Sequence, residues 1–282
     1  MKRRSAVAGG FYPSNRDSLK KMVENFFTEE FGDFEVKRKD KVLGVLSPHA
    51  GYVYSGRIAS HSFYEISRNF PKTFVILGPN HTGRGSPISM MAEGEWETPL
   101  GSMSIDSELA ERILKNSEII DQDFEAHTYE HSIEVQLPFI QYLSDAKFVP
   151  ICLAMQDEES AKEIGKAIAS SIEDESVTLI ASTDLVHFGW NFGYRPVSQN
   201  VIEWIRENDL KILEAFVNLD SKPIYELVGK GYTMCGYGCA AAVIQALKEV
   251  GLKKGEILKY GTSYDVSGDL SSVVGYGAAV IK

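Results

Sequence analysis

The chain has 282 residues, 44% hydrophobic and 24% charged, an ordinary globular composition with apolar material for a large core. A formal net charge of -10 and the lack of a sustained basic stripe exclude nucleic acid as an expected partner. No run of about eighteen apolar residues is present, and Met1 to Tyr12 is too polar for a secretory leader, so a cytoplasmic chain without a membrane partner is expected.

The Lys2-Arg3-Arg4 start reads as a solvated terminus. Asn15 to Ser18 offers caps for a helix through Leu19, Met22, Phe26 and Phe27. Glu29 to Lys41 is charged and reads as a surface connection. An apolar run from Val42 then ends at His49, and Ser55 to Ile66 reads as a small-residue helix. A second run, Thr73 to Asn80, ends at His81. Gly83 to Gly101 is turn-rich, with a short strand at Ile88 to Met91, and Ser107 to Leu114 reads as a helix.

Ser132 to Tyr142 has helical spacing, with Pro138 predicting either a kink or a late helix start. A strand at Lys147 to Ala154 and a helix at Asp157 to Ser171 follow. The third strand run, from Val177, ends at His187. Helices are predicted at Val201 to Phe216, Ser221 to Lys230 and Gly238 to Val250, the last closed by Gly251. Ile257 to Tyr260 and Ser271 to Ile281 read as strands. Strands alternate with helices, which predicts an α/β fold with a central sheet flanked by helices, in one domain over residues 1–282.

Three strand runs that each end in a histidine carry the functional reading. Ligands of open α/β sheets sit beyond the carboxyl ends of the strands. His49, His81 and His187 placed there can converge on one crevice suited to a metal or to proton transfer. Asp184 stands three residues before His187 and is expected to orient its imidazole. His131 and Glu134, three apart at a predicted helix start, are expected to share a face, with His131 a candidate acid–base group. Cys235 precedes the alanine-rich helix, where a helix N-terminus lowers a thiol pKa and favours metal. Cys239, one turn on, reads as packed core. His61 and His127 read as surface or packing residues, and Tyr54 as a pocket residue.

Several segments together resemble the Memo family. They are Pro48-His49-Ala50-Gly51-Tyr52-Val53-Tyr54-Ser55-Gly56, Leu77-Gly78-Pro79-Asn80-His81, Glu130-His131-Ser132-Ile133-Glu134, Ser182-Thr183-Asp184 with His187, and Cys235-Gly236. Ala8-Gly9-Gly10-Phe11-Tyr12 is similar to the family's opening segment. The resemblance implies a fold like that of the class III extradiol ring-cleaving dioxygenases, which hold non-haem iron(II). It implies a metal on His49, His81 and Cys235, with His187 in the acid–base position beside Asp184 and a pocket that includes Phe11. Iron(II) is the implied cofactor, with copper and zinc as alternatives. A small-molecule or peptide substrate is implied, and prokaryotic members occur with a radical-SAM protein and an AMMECR1-like protein. Phe11 stands where animal members carry tryptophan, and Asn191 where they carry an arginine that a phosphate pocket needs.

Three functions follow as expectations. One is a redox metalloenzyme in which His187 or His131 moves protons. Another is a non-enzymatic module holding a peptide or partner, with Arg57 and Arg84 the cations nearest the crevice in sequence. The third is a zinc hydrolase with Glu130 or Glu134 as base.

Overall fold

Four short apolar segments build the centre of the molecule because each is buried on both faces, as parallel strands are. The computed structural model describes residues 1–37, 43–172 and 176–282; Val42 and the Arg38 to Lys41 part of the expected surface connection lie outside them. In chain order the first half contains β1 (Lys2–Arg3), α1 (Arg16–Phe31), β2 (Leu43–Ser47), α2 (Tyr52–Ser67), β3 (Thr73–Pro79) and β4 (Ile88–Met90). A hairpin of β5 (Glu95–Thr98) and β6 (Gly101–Ser104) leads to α3 (Ser107–Lys115), β7 (Asp121–Gln122) and α4 (Leu137–Leu143). Then come β8 (Lys147–Leu153), α5 (Glu158–Ser171), β9 (Val177–Ser182), β10 (His187–Gly189), α6 (Val201–Val217) and α7 (Lys222–Gly229). The chain ends with α8 (Tyr237–Glu249), β11 (Gly255–Thr262), α9 (Tyr264–Ser267) and β12 (Ser272–Ile281).

The main sheet has a parallel centre in the order β2, β9, β3, β8. Antiparallel β12 flanks β2, and antiparallel β4 flanks β8. Register brings the strand ends level: Ser47 pairs with Ser182, and Leu77 pairs with Ala181. Side chains alternate across the sheet. Val45, Phe74, Ile76 and Ile180 pack under α1, α2 and α4, whereas Leu46, Val75, Leu77 and Ala181 pack under α3, α5, α6 and α8. After β2 the chain turns to α2 on the first face, and after β9 it passes to α6 on the second. The two connections diverge and leave a crevice at the carboxyl ends of adjacent strands.

Local sequence explains the helices. Asn15 caps α1 by accepting the Ser18 N–H (3.0 Å), and Asp157 caps α5 by accepting that of Ser160 (3.0 Å). Gly165 lets α5 press on α8, where a Cβ would lie 2.5 Å from Gln245 Cβ. Pro138 resolves as a late start: a 3-10 turn at Glu134–Gln136 precedes α4, with Pro138 in its first turn.

Three expectations are corrected. The third strand stops at Ser182, and His187 opens the separate strand β10. β5 arises in the segment expected to be mostly turns and pairs with β6 just beyond it, and β1 adds to them in a small second sheet. Arg3, expected in solvent, is consequently buried, with its guanidinium 4.1 Å from the Trp96 ring centre.

Candidate metal centre

The turn after β2 sets His49, which is almost fully buried. Its N–H donates to Asp184 Oδ1 (2.8 Å), and its Nδ1 lies 3.0 Å from Ser182 Oγ. The Ser182 hydroxyl donates to the Ser132 carbonyl (2.5 Å) and accepts from Gln136 Nε2 (2.8 Å). A hydroxyl has one proton, so His49 Nδ1 must be the donor in this contact. The Nε2 lone pair is thereby left for the crevice.

The turn after β3 sets His81 by the same logic. Glu130 accepts the His81 N–H on Oε2 (2.5 Å) and faces Nδ1 with Oε1 (2.9 Å). Oε1 also accepts the N–H groups of His131 and Ser132, both at 2.8 Å. Burial raises the Glu130 pKa, but the His81 bond, the neighbouring imidazoles and the amides outweigh it and hold the carboxyl at about 2. An ionised Glu130 fixes the Nδ1–H tautomer of His81 and makes its Nε2 a better donor to metal.

His131 completes the group. A ligand atom from each of His49, His81 and His131 lies within 4.8 Å of the others. The rings of His81 and His131 stack at 4.5 Å, and the Phe11 ring lies 4.6 Å from that of His131. Burial lowers the His131 pKa to about 4 against the pull of Glu130, and drives that of His49 well down with the repulsion of its neighbours. The His49 and His131 imidazoles are therefore neutral, the form that binds metal.

Cys235 meets this group through His49, its Sγ 3.2 Å from Nε2. The thiol accepts the Asp184 N–H (3.1 Å). The expected lowering of its pKa is reversed, because burial, with the charge of Asp184 added, pushes the thiol up. Gly236, not Cys235, occupies the N-cap of α8.

Asp184 and His187 are not partners. The Asp184 carboxylate is turned to the His49 amide, and burial pushes it up to about 7 despite that bond. The His187 Nδ1 contacts the Leu185 carbonyl (3.1 Å), which can only accept, so its Nε2 too is unprotonated in the neutral ring. Burial lowers the His187 pKa, opposed by the Leu185 bond and helped by His81. Phe192 packs edge-on against the ring at 5.1 Å.

Glu134 does not share a helix face with His131, which precedes the 3-10 turn. Its buried carboxylate accepts from Arg3 Nη1 (2.5 Å), Ala6 N (2.8 Å), Val7 N (3.1 Å) and the Tyr12 hydroxyl. It anchors the N-terminal segment that carries Phe11. Tyr54 is exposed on the first turn of α2. His61 bonds Glu30 (3.2 Å), and among the described residues buried His127 finds no hydrogen-bond partner for either ring nitrogen. Cys239 is fully buried, as read from the sequence. Gln136 went unnoticed in the sequence, where nothing distinguishes it from ordinary polar residues, and Ser182 was read only as part of a motif. Glu130 had a signal, its position directly before His131.

Fold and cluster define an α/β protein with histidines gathered at the carboxyl edge of a parallel sheet. The family described as Memo-like protein matches residues 3–280. A MEMO1 family protein of Methanopyrus kandleri is 44% identical, covering 100% of this chain and 99% of its own. Those of Thermococcus onnurineus and Pyrococcus furiosus are 44% and 42% identical, covering 100% of this chain and 100% and 99% of their own. The chain belongs to the Memo family. An uncharacterized protein of Escherichia coli K12 shares the fold, with a TM-score of 0.54 at 17% identity over 86% of this chain and 100% of that one.

Proposed function

We propose that this chain is a metal-dependent redox enzyme acting on a small-molecule or peptide substrate. The observation that carries the reading is the convergence of His49, His81 and His131, two of them with Nδ1–H tied back so that Nε2 faces the crevice. The donor set fits a transition metal. His49 and His81 would hold it, with His131 or Cys235 as the third donor. A mixed nitrogen and sulfur set departs from the usual two-histidine, one-carboxylate iron site and admits copper and zinc beside iron(II). Such a metal supplies electron transfer and substrate polarisation when bound. His187 Nε2 would take and return a proton, Phe11 and Phe192 would border the substrate, and the radical-SAM and AMMECR1-like proteins remain candidate partners.

Hydrolysis with a glutamate base is disfavoured. Both oxygens of Glu130 and of Glu134 are occupied by donors. The peptide-module reading keeps support from exposed Tyr54, Tyr129, Trp190 and Phe192, but not as a phosphate site. Arg57 is paired with Glu29 and Glu30, and Arg84 with Glu125.

Metal content of protein purified without oxygen, beside a His49→Ala/His81→Ala variant, tests the proposal. Stoichiometric iron or copper, lost in the variant, is the expected result. Zinc would shift the reading to hydrolysis with His187 as base, and no metal before or after reconstitution would overturn it. Comparing His131→Ala with Cys235→Ser then assigns the third donor.

A further inference from the structure

Five consecutive backbone N–H groups, from Thr183 to His187, end on five different partners. Thr183 donates to the Ser47 carbonyl (2.9 Å), Asp184 to Cys235 Sγ (3.1 Å) and Leu185 to the Gly275 carbonyl (2.8 Å). Val186 donates to Asp209 Oδ1 (3.0 Å) and His187 to Thr233 Oγ1 (2.9 Å). Only the acceptor of Val186 is a carboxylate.

Asp209 lies on α6 and is fully buried. Oδ1 also accepts the Tyr232 hydroxyl (2.7 Å), and Oδ2 accepts that of Tyr260 (2.9 Å). Among the described residues these tyrosines are the titratable groups bonded to it, with Arg206 beyond, 5.9 Å over the Tyr260 ring. Gly275 of β12 leaves it room, since a Cβ there would fall 1.9 Å from Oδ2. A buried carboxylate with no bonded cation is costly to keep, and an apolar side chain would fill the same space without that cost.

The peptide unit it grips explains its presence. Val186 N–H and Leu185 C=O belong to one trans peptide, so they point in opposite directions. One end meets Asp209 and the other holds the Nδ1–H of His187. We propose that Asp209 is a positioning residue for His187, acting through the Leu185–Val186 peptide unit. Burial pushes the Asp209 carboxyl up to about 7 against the Tyr232, Val186 and Tyr260 bonds, and above that pH its charge polarises the amide and makes the carbonyl a stronger acceptor. The stronger acceptor fixes the Nδ1–H tautomer and raises the basicity of Nε2. The arrangement is a carboxylate–imidazole pair with a peptide bond inserted between them. Burial and His81 oppose protonation of His187 while the Leu185 carbonyl favours it, so a carboxylate behind that carbonyl is the counterweight.

The proposal rests on reading His187 as the proton carrier, but the ring titration is measured whether or not metal binds, so the two fail separately. Nitrogen-15 NMR of the histidine rings in the full chain is the test, with His187→Gln giving the assignment. The neutral ring is expected as the Nδ1–H tautomer. Asp209→Asn, which keeps an acceptor for Val186 and removes the charge, should cost the neutral His187 ring part of its Nδ1–H preference at alkaline pH, where the wild-type carboxyl is ionised, and leave the ring unchanged at acid pH, where that carboxyl is already neutral. An unchanged His187 tautomer at alkaline pH in folded Asp209→Asn would overturn the proposal, and a loss of stability alone would assign Asp209 a structural role. If that variant does not fold, the wild type decides. The Val186 amide proton shift and the His187 ring signals should both follow the titration of the Asp209 carboxyl carbon, and indifference of either overturns the relay.

Discussion

Glu130 and Asp184 are both buried carboxylates that accept the backbone N–H of a site histidine, yet the protein pushes them in opposite directions. Glu130 sits at about 2 and Asp184 at about 7. The difference lies in the donors. Glu130 gathers three amides and the His81 ring, whereas Asp184 is stabilised by the His49 and Ala50 amides and carries the full cost of burial. Depth alone does not set the charge of a buried acid; the number of donors aimed at it does.

Glu130→Gln should break the comparison most severely. An amide offers one acceptor oxygen where Glu130 uses two, so His81 loses its ionised partner. Metal affinity should fall on the order of 10–100-fold, read by competition with a chelator. The folded pKa of Glu130 is depressed below its ordinary 4.5, so its contribution is fully present above that pH and lost as pH falls toward 2. The variant should therefore be weaker by roughly 3 kcal/mol at pH 7 and lose that part of its acid sensitivity. Unchanged metal affinity would remove Glu130 from the site.

Asp184→Asn should act with the opposite sign in metal-stripped protein. The folded pKa is raised from 3.8, so the cost of the charge is absent below that pH, grows as pH rises toward 7, and is complete above it. Asparagine still accepts the His49 N–H and abolishes the cost. Relative to wild type the variant should gain about 4 kcal/mol between pH 4 and pH 8, seen as a shift in urea midpoints. A parallel pH profile in the two proteins would show that Asp184 ionises freely.

Exposed Glu125, bonded to Arg84 at 2.5 Å, sharpens the contrast at its weak end. Arg84→Ala should change stability by less than about 0.5 kcal/mol, because water screens the pair. A larger thermal shift would give this rim a role that its exposure does not suggest.

The sequence made His49 and His81 legible because a β-branched run followed by a Gly/Pro turn puts a side chain at a strand's carboxyl end. The same reasoning mislocated His187, where the chain leaves β9 at Ser182 and crosses four residues before pairing with β12. His131 was singled out as an acid–base candidate, but its place beside His49 and His81 was not legible. It lies in irregular backbone held by Glu130, and no periodicity marks such a segment. The direction of the Cys235 shift depended on tertiary burial, which position relative to a helix start does not report. Arg3 was misread because a two-residue strand leaves almost no pattern, and the Trp96 and Glu134 that cover it stand far along the chain.

The distances along the chain between partners carry a consequence for biogenesis. Arg3 waits for Glu134, and His49 meets Cys235 across 186 positions. A nascent polypeptide emerges with its first histidine ligand long before the walls of the crevice exist, and closing such spans is the slow part of folding. The proposed metal would therefore not nucleate this protein in the way zinc organises a zinc finger. Its capture would instead report that synthesis and folding are finished, and metal loading, if the proposed site is filled, would be a checkpoint for completed chains.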